Sequence, residues 1–260
     1  MTEWAIETQD LRRSFGGFEA VCGINLAVPR GSFYGFLGPN GAGKSTTIKC
    51  LTGLVSPSAG DIRILGMGWD QAEEIKSRIG VVPEDLALFG RLTGLESLVF
   101  VGRIHGLSAE ETARRSAQLL ELMDLQSAAG VVASEYSHGM QKKLALGCAL
   151  IAAPDLLILD EPFEGIDAVA SRQIKNLLTG FVTSGGTVFL TSHVLEIVEN
   201  LCDTIGIIHQ GILVVQGSLE ELQQGTEAGS LEDIFLRQVE GQARDLSLDW
   251  LGSSDRNGEG

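Results

Sequence analysis

The chain is poor in the residue types that would mark several common protein classes. Proline occurs only 6 times in 260 residues, against 33 glycines. The glycines follow no three-residue period, which excludes a collagen-like chain and a proline-rich low-complexity one. Used this way, glycine points to many tight turns between strands and helices. There are only 4 cysteines, Cys22, Cys50, Cys148 and Cys202. They are far apart, form no Cys-x-x-Cys pair and join no histidine at metal-site spacing, so neither a zinc site nor a disulfide framework is expected. Buried, reduced thiols of a cytosolic protein are. Positive charge is scarce too: 19 basic residues face 34 acidic ones, for a net charge of −15. The basic residues form only short pairs, Arg12-Arg13, Arg114-Arg115 and Lys142-Lys143, and an acidic surface repels phosphodiester backbones, so no nucleic-acid partner is expected. The longest apolar run, Leu144 to Ala153, stops at Pro154-Asp155, well short of the roughly 18 residues a membrane span needs. Met1-Thr2-Glu3-Trp4 opens no basic-then-apolar secretory signal. The expectation is a soluble chain without internal repeats or coiled-coil heptads.

What the sequence does hold is an alternation of short β-branched runs with helical patterns, the mark of parallel strands covered by helices. Trp4–Thr8, Ile24–Val28, Phe33–Leu37, Asp61–Leu65, Leu156–Leu159 and Thr187–Thr191 read as strands. Ile205–Ile208 and Ile212–Val215 read as a hairpin across Gly211. Lys44–Thr52, Ser137–Ala152, Ala168–Gly180, Val194–Leu201, Ser218–Gln223 and Leu231–Val239 read as helices. A mostly helical stretch spans Leu95 to Asp124, with start signals at Thr93 and at Ser108 followed by Glu111.

Between the third strand and its helix lies Gly38-Pro39-Asn40-Gly41-Ala42-Gly43-Lys44-Ser45-Thr46, a Gly-x-x-x-x-Gly-Lys-Ser phosphate loop in the required strand-to-helix context. Glycines let the backbone curl so that its N–H groups face phosphate oxygens, and the helix N-terminus adds its positive dipole end. Lys44 is placed for the β- and γ-phosphates and the Ser45 hydroxyl for Mg²⁺. The apolar run Leu156–Leu159 ends in Asp160-Glu161. A buried strand explains the aliphatics but not the acid pair, which suits Mg²⁺ contact at Asp160 and polarisation of an attacking water at Glu161. Ser137-His138-Gly139-Met140-Gln141 opens a helix with a good N-cap and room for a phosphate at its dipole. His105 and His209 read as surface or structural.

Together these residues resemble the nucleotide-binding subunit of an ABC transporter over about residues 5–239. The phosphate loop stands as Walker A and Leu156–Glu161 as Walker B with its catalytic glutamate. Tyr136-Ser137-His138-Gly139-Met140-Gln141 stands where the family has Leu-Ser-Gly-Gly-Gln, and Glu164-Gly165-Ile166-Asp167 where it has the D-loop. His193, after Leu190-Thr191-Ser192, matches the switch histidine, and Phe15 the aromatic that stacks on adenine. The signature departs at His138 and Met140 but keeps Ser137 and Gly139, the residues expected at the γ-phosphate. Glu84, in Gly80-Val81-Val82-Pro83-Glu84-Asp85, replaces the usual Q-loop glutamine. Its carboxylate would approach Mg²⁺ through water.

The resemblance implies an α/β P-loop NTPase core of the ABC ATPase type, with an antiparallel β subdomain and a helical subdomain at about 88–150. The ATPase domain would span 1–240, followed by a polar flexible tail at 241–260. ATP and Mg²⁺ are the implied cofactors. The implied partners are a second ATPase subunit, identical or not, and a transmembrane permease, which would hold the chain peripherally on the cytoplasmic face of the cell membrane. Glutamate in the Q-loop, the signature and Leu231-Glu232-Asp233-Ile234-Phe235 resemble the multidrug and antibiotic exporter branch. A ribosome- or nucleic-acid-directed ABC ATPase, an importer subunit and a subunit that binds ATP without cleaving it are the alternatives. Leu86, Leu88 and Phe89 are expected at the surface where the permease docks, whereas Leu95, Leu98 and Val99 are expected to pack the helical subdomain.

One consequence needs no structure. Lys44→Ala removes the loop's only cationic side chain, so isothermal titration of that variant with ATP should show binding lost or severely weakened. Unchanged affinity would move the nucleotide site elsewhere.

Overall fold

A computed structural model describes residues 3–224 and 231–239. The polar tail expected at 241–260 lies outside the described residues. Ten strands and nine α-helices are described, arranged as two sheets and a helical layer.

The first sheet is antiparallel and built around β1 (Trp4–Phe15). It pairs with β2 (Phe18–Ile24) along 11–15, with β3 (Ala27–Pro29) along 4–7, and with β5 (Ala59–Ile64) along 6–12. The expected single strand Ile24–Val28 is in fact two. The chain breaks at Asn25, whose side chain accepts a hydrogen bond from the Asp10 N–H at 2.8 Å. The buried Thr8 hydroxyl donates to the Ile24 carbonyl and accepts from the Leu26 N–H, so side chains replace the ladder at that corner.

The second sheet runs β10 (Ile212–Ser218), β9 (Thr204–His209), β4 (Phe33–Leu37), β8 (Thr187–Ser192), β7 (Leu156–Leu159), β6 (Ile79–Val82). All neighbours are parallel except the β9–β10 hairpin. Every residue of β4, β7 and β8 is buried, the pattern of strands covered on both faces. Alternation divides their side chains. Tyr34, Phe36, Leu156, Ile158 and Phe189 join the core that includes α1 (Lys44–Leu51) and α2 (Ala72–Arg78). Phe33, Leu37, Leu157, Leu159, Val188 and Leu190 point the other way, toward α5 (His138–Leu150), α6 (Ala168–Thr183), α7 (Leu195–Leu201) and α9 (Leu231–Val239). The short helix α8 (Leu219–Gln224) leads out of β10.

A third core, centred on Leu98, Leu120, Met123, Leu144 and Ile151, joins α3 (Gly94–Ile104) and α4 (Ala109–Leu122) to α5. Thr93 caps α3 in a reciprocal capping box with Glu96, and Ser108 caps α4 through the Glu111 N–H. Two expectations fail in this layer. Leu95 is exposed, and Leu88, expected at the surface, packs against two of the cores, with Leu86 half-buried beside it.

Strand β6 and helix α2 carry no clear periodic signal and are found only here. β6 lies tight under α5: a Cβ on Gly80 would drive into the Ala149 carbonyl and stand 2.7 Å from Leu157 Cδ2. Gly80→Ala should therefore destabilise the fold by about 1–3 kcal/mol through overpacking. Thermal unfolding would read this as a lowered Tm, and an unchanged Tm would show that α5 yields freely.

Candidate nucleotide site

The parallel strands end together at one edge of the large sheet, where α/β folds place their ligands. β4 leads into the glycine loop. α1 begins there with Gly43 at φ 111°, a left-handed value that favours glycine, and a Cβ at that position would stand 2.5 Å from the Ala20 carbonyl. No side chain caps α1 and no acid sits in its first turn, so its N-terminal N–H groups remain free for an anion. The β9–β10 hairpin backs the loop: Gly211 N–H donates to the Ala42 carbonyl at 2.9 Å.

A cleft of about 440 Å³ opens over this edge. Its walls include Pro39, Asn40, Gly41, Gly43, Lys44, Ser45, Thr46, Phe15, Glu84, Glu161 and His193. Gly38 and Ala42 lie buried beneath it. Lys44 is only 6% exposed. Its ammonium donates to the Gly38 carbonyl at 2.7 Å and lies 3.4 Å from Glu161 Oε1. Ser45 Oγ stands 3.5 Å from Glu84 Oε2, so two oxygens 39 residues apart in sequence meet at one wall.

Beneath the cleft, Asp160 and Glu161 are 4% and 6% exposed. Asp160 N–H donates to the Val82 carbonyl at 2.8 Å, fixing the end of β7 to β6. Thr191, one strand over on β8, donates its hydroxyl to Asp160 Oδ1 at 2.6 Å and accepts the Glu161 N–H at 2.9 Å. Glu161 has φ 47°, left-handed for a non-glycine residue, a conformation that costs roughly 1–3 kcal/mol unless its surroundings impose it. Those surroundings are specific, since Thr191 takes its N–H and the Lys142 ammonium donates to its carbonyl at 2.6 Å. The result points the Glu161 carboxylate into the cleft. There Oε2 is 3.1 Å from His193 Nδ1, while buried Oε1 accepts no hydrogen bond.

At the other end, Phe15 and Phe18 stand opposite each other across the Gly16-Gly17 turn, both exposed. The Arg13 guanidinium lies 4.3 Å from the centre of the Phe15 ring. Phe18, Ala20 and Glu164 line the cleft although the sequence did not single them out for it. Phe18 had a readable signal, because a two-residue glycine turn places its flanking residues opposite each other.

Ser137, Gly139 and Asp167 do not line this cleft. Ser137 caps α5, accepting the Met140 N–H, and Asp167 caps α6. The Ala170 N–H, helped by Val169, holds the Asp167 carboxyl below the usual carboxylate range. A Cβ added at Gly165 would stand 3.2 Å from His138 Cδ2, so the segments around Ser137 and Asp167 lie close together within one chain.

A glycine phosphate loop on β4, paired with an acid pair on β7, defines a P-loop nucleoside triphosphatase. The family model for ABC transporters matches residues 21–164. The linearmycin resistance ATP-binding protein of Bacillus subtilis is 39% identical over 84% of this chain and 70% of its own length. The daunorubicin/doxorubicin resistance ATP-binding protein of Streptomyces peucetius is 36% identical over 92% and 72%. A solved ATP-binding subunit of an ABC transporter superposes with a TM-score of 0.84 at 31% identity, covering 90% of this chain and 99% of its own. The chain belongs to the ABC transporter family, as an ATP-binding subunit that hydrolyses ATP to drive transport. The expected P-loop α/β fold with its antiparallel sheet is the fold observed.

Thr191 is the hinge of the acid pair. Thr191→Val keeps the shape but strands the Glu161 N–H and one Asp160 oxygen, which should cost about 1–3 kcal/mol. Denaturant unfolding would measure that loss, and phosphate release should fall more than ATP affinity does.

Proposed function

We propose that the cleft binds ATP with Mg²⁺, and that the chain closes on a second cassette subunit to drive a transmembrane permease in the export direction. Cassettes of this family form dimers and work with permease subunits. The observation that carries the site reading is the meeting of Lys44 and Glu161, buried together under one cleft with a free helix N-terminus above and aromatics at its far end.

Phosphate oxygens would take the loop N–H groups, and Lys44 would exchange the Gly38 carbonyl for the β- and γ-phosphates. Hard oxygens fit Mg²⁺: Ser45 and Asp160 would be the residues that hold it, with the Glu84 carboxylate, 3.5 Å from the Ser45 hydroxyl, acting through water. Among the described residues no cluster of three or more His, Cys, Asp or Glu could hold a metal alone, so the fit requires nucleotide phosphates as further ligands. Bound Mg²⁺ neutralises charge on the β- and γ-phosphates. Glu161, whose Oε1 accepts no hydrogen bond and has only the Lys44 ammonium nearby at 3.4 Å, orients the attacking water and accepts its proton. His193, beside Glu161, contacts the γ-phosphate. Phe15 stacks on adenine.

Ser137 and Gly139 serve the partner's nucleotide. The Ser137 oxygen accepts the Met140 N–H, leaving its hydroxyl proton to donate to a phosphate. Asp167, whose Oδ1 already caps α6, joins the same interface as part of the D-loop. ATP closes the pair because its γ-phosphate touches both chains, and hydrolysis removes that contact.

Among the described residues no helix is long and apolar enough to cross a membrane, so membrane contact falls to the permease, on the cytoplasmic face. Phe89, 54% exposed, packs edge-on against Phe100 with ring centres 4.9 Å apart, and Ile104, one turn further along α3 on the same face as Phe100, is exposed too. This apolar patch on an acidic chain is the permease-docking surface. Export is supported by relatives named for drug resistance.

Glu161→Gln should retain ATP binding, lose turnover by about 100-fold or more, and accumulate an ATP-bound dimer. Sizing chromatography with MgATP and a phosphate-release assay test this; near wild-type turnover removes Glu161 as the base. Phe89→Ala should weaken co-purification with the permease and spare ATP binding. A variant that binds its partner normally would place docking elsewhere.

A further inference from the structure

Lys142 lies in the second turn of α5 and is 4% exposed, an unusual place for an ammonium. Burial pushes its pKa down, opposed by the carboxylates of Glu164, Glu161, Glu84 and Asp160, which favour the charged form. Taking an ammonium out of water costs several kcal/mol unless strong contacts offset it. Its one directed contact is the 2.6 Å hydrogen bond to the Glu161 carbonyl. The Glu164 N–H reaches the same oxygen at 3.3 Å, weaker by distance and without charge.

That carbonyl belongs to the strained residue. With φ at 47°, Glu161 turns the chain sharply at the end of β7, and the direction of its carboxylate follows from that turn. Its N–H is fixed from β8 by Thr191 and its carbonyl from α5 by Lys142. Relaxation to the right-handed region would rotate the peptide units on both sides of the residue and move the carboxylate from Lys44 and His193. A lysine that merely neutralised four acids could do so from many positions. One locked onto a backbone carbonyl fixes a conformation.

We propose that Lys142 is a positioning residue for ATP hydrolysis, holding the Glu161 carbonyl so that this carboxylate stays aimed at the attacking water. The inference rests on the reading of Glu161 as the general base. It makes a separate demand, that turnover depends on a side chain which touches no part of the nucleotide.

The test compares steady-state kcat and KM for ATP in Lys142→Met, Lys142→Arg, Glu161→Gln and the Lys142→Met/Glu161→Gln pair, with ATP binding measured by calorimetry. Lys142→Met should lose about ten-fold or more in kcat with KM and ATP affinity within about two-fold. Lys142→Arg, which keeps the charged donor, should recover most of the loss. The double variant should be no slower than Glu161→Gln alone, because the two residues act as one unit. Wild-type kcat in Lys142→Met, a raised KM at unchanged kcat, failure of arginine to rescue, or additive losses would each overturn the proposal. If Lys142→Met does not bind ATP, Lys142→Gln takes its place under the same criteria, since it stays polar but removes the charge and shortens the reach to the Glu161 carbonyl. Glu161→Gln reports separately: turnover near wild type there refutes the base assignment itself, whereas its loss beside a fully active Lys142→Met refutes only the role of Lys142.

Discussion

Four ionisable side chains, Lys44, Lys142, Asp160 and Glu161, are buried together where β4 and β7 end. Buried singly, any of them would carry a heavy desolvation penalty, so each needs partners held at hydrogen-bond distance. The surrounding structure is arranged to supply them. Gly38 lends its carbonyl to Lys44, Thr191 donates to the Asp160 carboxylate, Lys44 and His193 flank that of Glu161, and Lys142 closes the cluster from α5. Such a site tolerates little movement, which explains why the strands beneath it are buried on both faces. At roughly 1.5–3 kcal/mol for each large aliphatic side chain buried, Leu156–Leu159 alone supply a rigid floor.

The two faces of the large sheet serve different ends. Tyr34 stacks on Phe189 with ring centres 5.4 Å apart, tying β4 to β8 on the face that carries α1 and therefore the phosphate loop. The opposite face anchors α5 and α6, the helices whose capped N-termini carry Ser137 and Asp167. Phosphate loop and signature segment thus sit on opposite sides of one sheet. Within a single chain they do not share a cleft, which is the arrangement the proposed pairing of two cassettes needs.

Much of this was legible because it is local. The phosphate loop is nine consecutive residues between a strand and a helix, and the acid pair ends an unbroken aliphatic run. Thr93 and Ser108 announced their helices through capping residues at fixed offsets. What escaped was tertiary. Thr191 reaches Asp160 across 31 residues of sequence, and only the β7–β8 pairing brings them together. Lys142 reads as half of a solvated basic pair until α5 is laid against the end of β7. Leu88 looked like surface because Gly90 and Arg91 just after it suggest a turn, yet it packs against two cores. Strand β6 holds four residues with a glycine among them, too short and too weakly patterned for any periodicity to stand out.

Helix α5 is the element on which the two halves of the site converge. It is capped by the exposed Ser137, and within two turns it delivers Lys142 to the Glu161 carbonyl. A helix is stiff over that distance, because each residue between is fixed by its own backbone ladder. A displacement of the α5 N-terminus is therefore carried to the Lys142 end, where the 2.6 Å charge-assisted bond links it to the Glu161 backbone. The segment proposed to meet a partner's nucleotide and the carboxylate proposed as the base are thus joined through one helix and one charge-assisted hydrogen bond.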